Sequence, residues 1–485
     1  MKAEVDFYDS ELFGNDAGED EDPEVLDSYF INKVEFNKFL SEKVGLCVAR
    51  AKKGMGKSAL LNRMAYSLSK HDSNIIIKVT GNDLLGLGDF QGKDQAYLEN
   101  YWKRIILKRI AIEIGANIGI AATDDAMSLV EAAEYEGFKQ KNIIGSIISR
   151  IKLSLGGAVS LERRELKISE GIGFALDRYL QECDKYSVWL LIDDIDATYI
   201  DTPDYQSRIG AFFGALRLIV NELKGVKVRA TVRSDVWTNL RKVEHLDKWE
   251  QYIVDIKWDD ASMRRMLSMR ILSYLKRNDL IDVSLDAVND YKEIVELVFL
   301  RNFPWDGGVV DSFVPLKLFS AGRPRWMGQI CRMSGECCAN RGGARIGIDD
   351  IKEILENFGL NRVNDLMKEH SHQFPHVDKL VDIFRGNKKS YSLVELSMLL
   401  KEKYTVFVGE DMPKLDGIAV KDEFQLGRFL YKIGFLSGQH ANKFKKWIHY
   451  NEQPDFFDSM DNKNGQVKWH VHPSYRAYLR INGYD

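Results

Sequence analysis

The stretch AKKGMGKSAL, at positions 51–60, carries residue types and a spacing that suit phosphate binding. A phosphate loop has the pattern G-x-x-x-x-G-K-[ST], in which backbone N–H groups, a lysine and a hydroxyl group surround phosphate oxygens and Mg²⁺. Gly56, Lys57 and Ser58 fit its last three positions, whereas Ala51 stands where the first glycine is expected. Alanine adds only a methyl group, so we expect it to be tolerated if its φ angle stays negative. The stretch therefore predicts a site for nucleotide phosphates.

The loop and the start of the following helix supply the predicted nucleotide contacts. Gly54 and Gly56 allow backbone conformations and a close approach that side chains would block. Lys57 is predicted to reach the β- and γ-phosphates, and the Ser58 hydroxyl is predicted to bind Mg²⁺. A chance occurrence of these letters in a surface loop is the alternative. The predicted binding residues are Lys53, Gly54, Met55, Gly56, Lys57, Ser58 and Ala59.

Three acidic residues follow a second apolar run. Asp193 comes directly after VWLLI, where parallel sheets place the groups that face a ligand, and it is predicted to hold Mg²⁺. Asp194 is predicted to orient the attacking water, with a side chain one carbon shorter than glutamate. Asp196 is expected to bind a backbone amide or to position the loop. The alternative is a solvated acidic strand end.

A third apolar run, VKVRATVRSD, ends with a cation. Thr231 and Arg233 at its end suit a sensor of the γ-phosphate, and we assign Arg233 to the catalytic group with Asp193 and Asp194. A charge-assisted contact of this kind is worth about 1.5–3 kcal/mol. The alternative is that Arg233 forms an ion pair with Asp235 or Asp255.

Short apolar runs alternate with helical patterns, which is typical of a parallel α/β sheet. In the helix after the loop, Leu60, Leu61, Met64 and Leu68 recur on one side. The predicted strands are Val44–Arg50, Asn74–Gly81, Ser187–Asp196, Val226–Asp235 and Tyr252–Trp258. The predicted fold class is therefore α/β, with a P-loop NTPase core, a helical lid and a C-terminal winged-helix domain.

The phosphate loop, the acids after VWLLI, the T-x-R strand end and Gly322-Arg323-Pro324 together resemble the STAND and KAP branches of the ASCE P-loop NTPases. The acid-rich opening LFGNDAGEDEDPEVLDSYF also resembles the N-terminal signature of bacterial ATPases with this layout. The resemblance implies ATP and Mg²⁺ as ligands, bound between the core and a helical lid. It also implies that Pro324 touches the nucleotide base and that Arg325 or Arg323 acts as a second sensor.

The chain divides, on this interpretation, into an exposed acidic arm at 1–30 that becomes helical after Pro23, an ATPase core at 31–258 with a helical insertion at about 95–180, a lid at 259–375 and a winged helix at 376–485. Many winged helices bind DNA through a basic helix. Residues 361–485 hold 19 Lys and Arg against 16 Asp and Glu, and Lys443, Lys445 and Lys446 form the main basic cluster. Docking to a protein or regulation of the lid therefore stays an open alternative.

The combined interpretation is a slowly hydrolysing ATP switch that controls assembly or a separate effector or sensor protein, and that forms a homo-oligomer. Resemblance alone suggests a place in anti-phage or other conflict systems. The alternatives are an ATP-regulated DNA-binding protein similar to origin-recognition ATPases, and a nucleotide-free scaffold. Five cysteines without disulfide-framework spacing indicate the cytoplasm. No apolar stretch is long enough to predict a membrane span.

Overall fold

The computed structural model divides the chain into two compact units. We call Ala17–Lys257 the core unit, and Met1–Asp16 together with Trp258–Asp485 the C-terminal unit. The described residues are 5–80, 92–117, 175–176, 178–181, 187–196, 202–240, 246–281, 284–305, 307–404, 414–441, 447–450 and 452–483.

The core unit is built on a five-stranded sheet in the order β2-β3-β4-β1-β5, in which every neighbouring pair is parallel. Its strands are β1 (Leu46–Ala51), β2 (Asn74–Thr80), β3 (Ser187–Asp193), β4 (Val226–Arg233) and β5 (Ile253–Asp255). Each overlaps a predicted apolar run, with β1 extending one residue beyond its predicted end, so the predicted α/β class is confirmed. Strand β3 has an unbroken buried apolar run because helices cover both faces of such a sheet.

The strand register brings the predicted site residues to the same edge of the sheet. Ala51 pairs with Arg233, and Thr80 pairs with Asp193. Strand β4 lies between β1 and β3, so the strand that ends in Arg233 is flanked by the strand that leads to the loop and the strand that ends in Asp193. The carboxyl ends of parallel strands meet at one edge, which is where such sheets bind ligands.

Helices pack against the sheet through the apolar faces that the sequence predicts. Helix α3 (Lys57–Ser69) buries Leu60, Leu61, Met64 and Leu68, as expected from their spacing. The α-helices whose bounds fall within the described residues of this unit are α1 (Pro23–Tyr29), α2 (Asn37–Leu40), α3, α4 (Gln95–Asn117), α5 (Pro203–Glu222) and α6 (Ser234–Leu240). Helix α4 agrees with the helical pattern predicted from residue 95 onwards. That this segment is an insertion stays a prediction, and residues 118–174 of it lie outside the described residues.

In the acidic N-terminal segment the acids Glu19, Asp20, Asp22 and Glu24 are exposed as expected, whereas the apolar side chains are packed. The predicted helix after Pro23 is present as α1, and the Asp22 carboxylate caps it by accepting from two backbone N–H groups. Leu26 and Tyr29 are buried because α1 packs on α3, and Asp27 forms an ion pair of 2.6 Å with Arg63. The helix is amphipathic: its apolar residues Leu26 and Tyr29 lie between charged residues, which dominate the composition of the segment.

Arg229, on β4, joins the sheet to the segment before β1. Its fully buried guanidinium donates to the carbonyl oxygens of Phe39, Ser41 and Val44 and lies 5.0 Å from the Trp189 ring. Burial lowers the pKa of Arg229 to about 10. Carbonyl acceptors replace water around this cation, as a buried charge requires.

Between residues 260 and 370 the described part of the C-terminal unit consists of helices, one hairpin and the loops that join them, in agreement with the predicted helical pattern. Helix α7 begins with a capping box at Asp259 and Ser262 and buries the predicted stripe of Met266, Leu267, Ile271 and Leu275. These helices are α7 (Asp260–Arg277), α8 (Tyr291–Glu296), α9 (Phe313–Ser320), α10 (Pro324–Asn340) and α11 (Ile348–His370), and the hairpin is β6 (Asn302–Trp305) with β7 (Gly308–Asp311).

The last part of this unit combines short helices with a three-stranded antiparallel sheet in the order β11-β12-β8. The helices predicted near 391–402 and 421–431 are present as α13 and α14. The elements are α12 (Val377–Asp382), β8 (Ser390–Ser392), α13 (Leu393–Leu399), β9 (Lys414–Leu415), β10 (Ile418–Ala419), α14 (Glu423–Lys432), β11 (Leu436–His440), α15 (Met460–Lys463), β12 (Val467–Val471) and α16 (Pro473–Arg476). No helix within the described ranges is long and apolar enough to cross a bilayer.

Candidate nucleotide-binding site

The loop between β1 and α3 has the backbone conformation of a glycine-dependent anion site. Gly54 has a φ of 77° and Gly56 a φ of 91°, in the left-handed region that other residues rarely adopt. Gly56 immediately precedes α3, so the free N–H groups of the first helical turn open onto the loop. Ala51 lies inside β1 and has a negative φ, so the departure from glycine at this position is tolerated as expected.

Lys57 is the first residue of α3, and only 7% of its surface is exposed. A buried ammonium group needs a negative partner or a ligand. Its charge acts on Asp196, which is fully buried after β3. Lys57 and Asp196, which are far apart in sequence, are therefore electrostatic neighbours in the fold.

Asp193 is held by the neighbouring strand β4. The Thr231 hydroxyl donates to Asp193 Oδ1, and the backbone N–H of Asp194 donates to the same oxygen at 3.0 Å. The Asp194 N–H also lies 3.3 Å from the Thr231 hydroxyl oxygen. Asp193 is half-buried and its second oxygen is the one left for a cation, so a carboxylate suited to Mg²⁺ is fixed at the sheet edge.

Thr231 is a positioning residue whose partner the sequence did not predict. It is fully buried, and it lies two positions before Arg233 and therefore on the same face of β4. The two-residue spacing of Thr231 and Arg233 was the feature of the sequence that could have indicated that both side chains lie on the same face of the strand. Asp194, in contrast, is exposed and has a φ of 54°, so its side chain projects from a tight turn.

Asp196 ties the end of β3 to the end of β4. Its Oδ2 accepts from the backbone N–H of Arg233 at 2.8 Å, which confirms the expectation that Asp196 binds a backbone amide. Its Oδ1 is buried without a hydrogen-bond partner among the described residues. Burial raises the pKa of Asp196 to about 6, and the positive charges of Lys57 and Arg233 offset part of that rise.

Arg233 is engaged by carboxylates in this structure. Its guanidinium binds Asp235 through two nitrogens, with 3.2 Å from Nε to Oδ1, and Nε lies 3.8 Å from Asp196 Oδ2. The alternative pairing with Asp235 is thus present. The other candidate, Asp255, binds Arg50 instead, with 2.6 Å between Nε and Oδ1. The role of Arg233 as a phosphate sensor stays a prediction.

The residues assigned to the base and the second sensor belong to the C-terminal unit. Pro324 is buried as the first residue of α10, and Gly322 before it has a φ of 68°. Arg325 Nε donates to the Asp16 carbonyl oxygen at 2.7 Å. Arg323 forms a buried ion pair of 2.8 Å with Glu369. The nucleotide roles of Pro324, Arg325 and Arg323 stay predictions.

Gly18 is a site-adjacent residue that the sequence reasoning missed. A Cβ atom at this position would lie 2.8 Å from Ala59 Cβ and 2.9 Å from Ala59 N, in the first turn of α3. Asn62 Nδ2 donates to the Gly18 carbonyl oxygen at 2.8 Å. The N-terminal segment therefore runs directly against the start of the phosphate-loop helix, and only glycine permits that approach.

The fold and the site together define an α/β protein with a P-loop NTPase core. A parallel sheet, a left-handed glycine loop before a helix, and a buried lysine next to strand-end carboxylates are the features of that class.

Comparison with known proteins gives distant resemblances. No family model matches the chain. The chain is 21% identical over 506 residues to the putative transposon gamma-delta 80.3 kDa protein of Escherichia coli (strain K12), which covers 98% of this chain and 67% of that protein.

Solved structures of similar arrangement include a Walker-type ATPase of Pyrococcus abyssi (TM-score 0.39, 14% identity, 93% of this chain and 96% of that chain). The ORC2 protein of Aeropyrum pernix in ADPNP–ADP complexes has a TM-score of 0.38 and 10% identity, over 92% and 89% of the two chains. Cdc6p of Pyrobaculum aerophilum has a TM-score of 0.32 and 10% identity, over 97% and 98%. At these TM-scores the likeness adds nothing to what this chain's own sheet and loop establish.

Proposed function

We propose that this protein binds ATP with Mg²⁺ at the carboxyl edge of its parallel sheet and hydrolyses it slowly. One observation carries the proposal: the glycine loop with Lys57, the acid Asp193 and the cation Arg233 come from three adjacent strands and lie at the same edge. A shared phosphate site requires that these groups lie at the same carboxyl edge of the sheet, and the strand register meets this requirement.

Each group has a task that its chemistry supports. The loop amides and Lys57 bind the phosphates, and Arg233 responds to the γ-phosphate. Ser58 and Asp193 supply the oxygen ligands that Mg²⁺ prefers, and the cation would neutralise charge on the β- and γ-phosphates. Asp194 orients the attacking water. Its short side chain and its exposed turn position are the basis for proposing slow turnover.

We propose further that the nucleotide state switches the protein, as in the STAND and KAP branches that the motifs resemble. A switch needs a contact that ATP makes and ADP does not. Arg233 is suited to that contact because its backbone N–H is bound to Asp196, which also neighbours Lys57. The output would be homo-oligomer assembly or control of a separate effector or sensor protein, in the cytoplasm, with anti-phage defence as the suggested setting.

The helices and the antiparallel sheet of the C-terminal section support the proposal that it is a winged-helix domain. Helices α13 and α14 contact a three-stranded antiparallel sheet in which β12 pairs with both β11 and β8. This arrangement is the observation that favours the second candidate, an ATP-regulated DNA-binding protein.

The charges on α14 favour protein docking over duplex binding. Arg428 Nε donates to Asp458 at 2.8 Å, and a second guanidinium nitrogen of Arg428 binds the other oxygen of that carboxylate. Lys432 lies 4.0 Å from Asp416. Both cations of this helix therefore have acidic partners, whereas a recognition helix offers its cations to phosphates and base edges. The basic cluster of Lys443, Lys445 and Lys446 lies outside the described residues.

Sedimentation analysis tests the switch. The full chain is compared with Mg²⁺ and ADP, and with Mg²⁺ and a non-hydrolysable ATP analogue. A nucleotide-dependent change in mass or shape supports the proposal, and an identical profile with both nucleotides at saturation contradicts it. A gel shift with duplex DNA at about 0.1 M salt tests the rival, which requires nucleotide-dependent binding that weakens as salt rises.

A further inference from the structure

The guanidinium of Arg233 is held by the carboxylate of Asp235, two residues further along the chain. Nε lies 3.2 Å from Oδ1, and Nη2 binds Oδ2. Both side chains are largely buried, with 11% and 16% of their surface exposed. Two parallel N–H···O contacts with little solvent make this a stronger pair than a surface ion pair.

We propose that Asp235 is the resting counter-ion of Arg233 and sets the discrimination between ATP and ADP. This inference rests on the proposed ATP site. For the guanidinium to bind a γ-phosphate, it must leave the Asp235 carboxylate. ATP therefore gains the Arg233 contact only after the pair is broken, whereas ADP leaves the pair intact. Asp235 competes with the third phosphate for one cation.

Two other carboxylates near the site lack the geometry for this role. Asp196 uses Oδ2 to accept from the backbone N–H of Arg233 at 2.8 Å and lies 3.8 Å from Nε, so it anchors the main chain. Asp255 binds Arg50, on the neighbouring strand β1, at 2.6 Å and 3.0 Å. Among the contacts of the described residues, Asp235 is the carboxylate that binds two guanidinium nitrogens of Arg233.

The Arg50–Asp255 pair provides a matched control. It is also a two-nitrogen contact between an arginine and an aspartate at the ends of strands in the core unit. Substituting Asp255 therefore removes the same kind of ion pair without releasing Arg233. A loss of stability common to both variants can be separated from an effect on nucleotide choice.

Isothermal titration of the full chain with Mg²⁺ and either ADP or a non-hydrolysable ATP analogue tests the inference. Asp235→Asn is expected to raise the ratio of ATP-analogue affinity to ADP affinity about tenfold, because a charge-assisted contact no longer has to be broken. Asp255→Asn is expected to leave the ratio unchanged. In an Arg233→Ala background, Asp235→Asn is expected to have no effect on the ratio.

Three outcomes overturn the inference. The ratio can stay unchanged in Asp235→Asn. The affinity ratio of Asp235→Asn can fall to the value measured for Arg233→Ala, which would mean that Asp235 orients the Arg233 guanidinium towards the phosphate. It can also rise equally in the double variant. If Asp235→Asn fails to fold, Asp235→Ser gives the same readout. A wild-type protein that binds neither nucleotide refutes the proposed function itself, whereas a wild type that binds both with an unresponsive Asp235 refutes only this inference.

Discussion

Substitution of Asp196 by asparagine is expected to stabilise the core unit at neutral pH. Asp196 is fully buried, and burial raises its pKa from 3.8 to about 6 despite the nearby Lys57 and Arg233 charges. A tenfold change in an equilibrium constant corresponds to about 1.4 kcal/mol, so ionising this carboxyl in the folded protein costs about 3 kcal/mol. Asparagine keeps an oxygen for the Arg233 N–H and carries no charge.

The sign of the pH dependence follows from the two pKa values. Below about pH 4 the Asp196 carboxyl is protonated in both the folded and the unfolded chain, and it costs nothing. Between about pH 4 and pH 6 the unfolded chain has lost this proton while the folded chain retains it, so the free energy of unfolding falls as pH rises. Above about pH 6 the full cost is present.

Urea unfolding of the wild type and Asp196→Asn between pH 4 and pH 8 measures this effect, with the core-unit transition identified by hydrogen exchange of the β3 and β4 peptides. The variant is expected to be more stable by up to about 3 kcal/mol at pH 7, and the difference is expected to shrink towards zero at pH 4. Asp194→Asn is the control, because Asp194 is exposed and asparagine tolerates its positive φ. A variant that is less stable than the wild type at pH 7, with a difference independent of pH, would refute the reasoning.

Three further substitutions have distinct expected outcomes. Gly18→Ala is expected to destabilise the core unit by about 1–3 kcal/mol in urea unfolding, because its Cβ would lie 2.9 Å from Ala59 N; an unchanged midpoint would contradict the close approach. Glu369→Ala leaves the Arg323 guanidinium buried without its partner and is expected to destabilise the C-terminal unit by about 3–5 kcal/mol, while Glu369→Gln should cost less. Asp194→Asn is expected to abolish ATP hydrolysis, measured as the steady-state production of inorganic phosphate, while its affinity for ATP is unchanged. A turnover rate equal to that of the wild type would remove Asp194 from the mechanism.

The strands, and the position of the candidate site residues at their ends, were predictable because their signals are local. The run VWLLID is buried on both faces of a parallel sheet and is a continuous apolar stretch, whereas NIIIKVT, at the edge of the sheet, alternates between buried and less buried residues. Each run ends in the residue that faces the ligand edge. Once five such runs were identified, the parallel arrangement followed, and the shared edge for Lys57, Asp193 and Arg233 followed with it.

The contacts that hold the site were not predictable, because they join residues with no local signal. Nothing in the spacing of Arg229 indicates that a cation inside an apolar run is satisfied by the carbonyl oxygens of Phe39, Ser41 and Val44. The charge density of the acidic opening predicts a solvated segment, whereas Leu12 and Phe13 within it are fully buried. The overall composition of a segment does not reveal its apolar face when the residues between the apolar positions are charged.

Binding of ATP with Mg²⁺ to the wild type, to Lys57→Ala and to Lys70→Ala tests the central claim most directly, by isothermal titration of the full chain. Lys70 lies directly after the C-terminal end of α3, the helix that begins at Lys57, and it pairs with Asp27. Its substitution therefore controls for the loss of one positive charge. We predict that the wild type and Lys70→Ala bind ATP alike and that Lys57→Ala loses measurable binding. Equal affinity in all three proteins would contradict a phosphate site at the sheet edge.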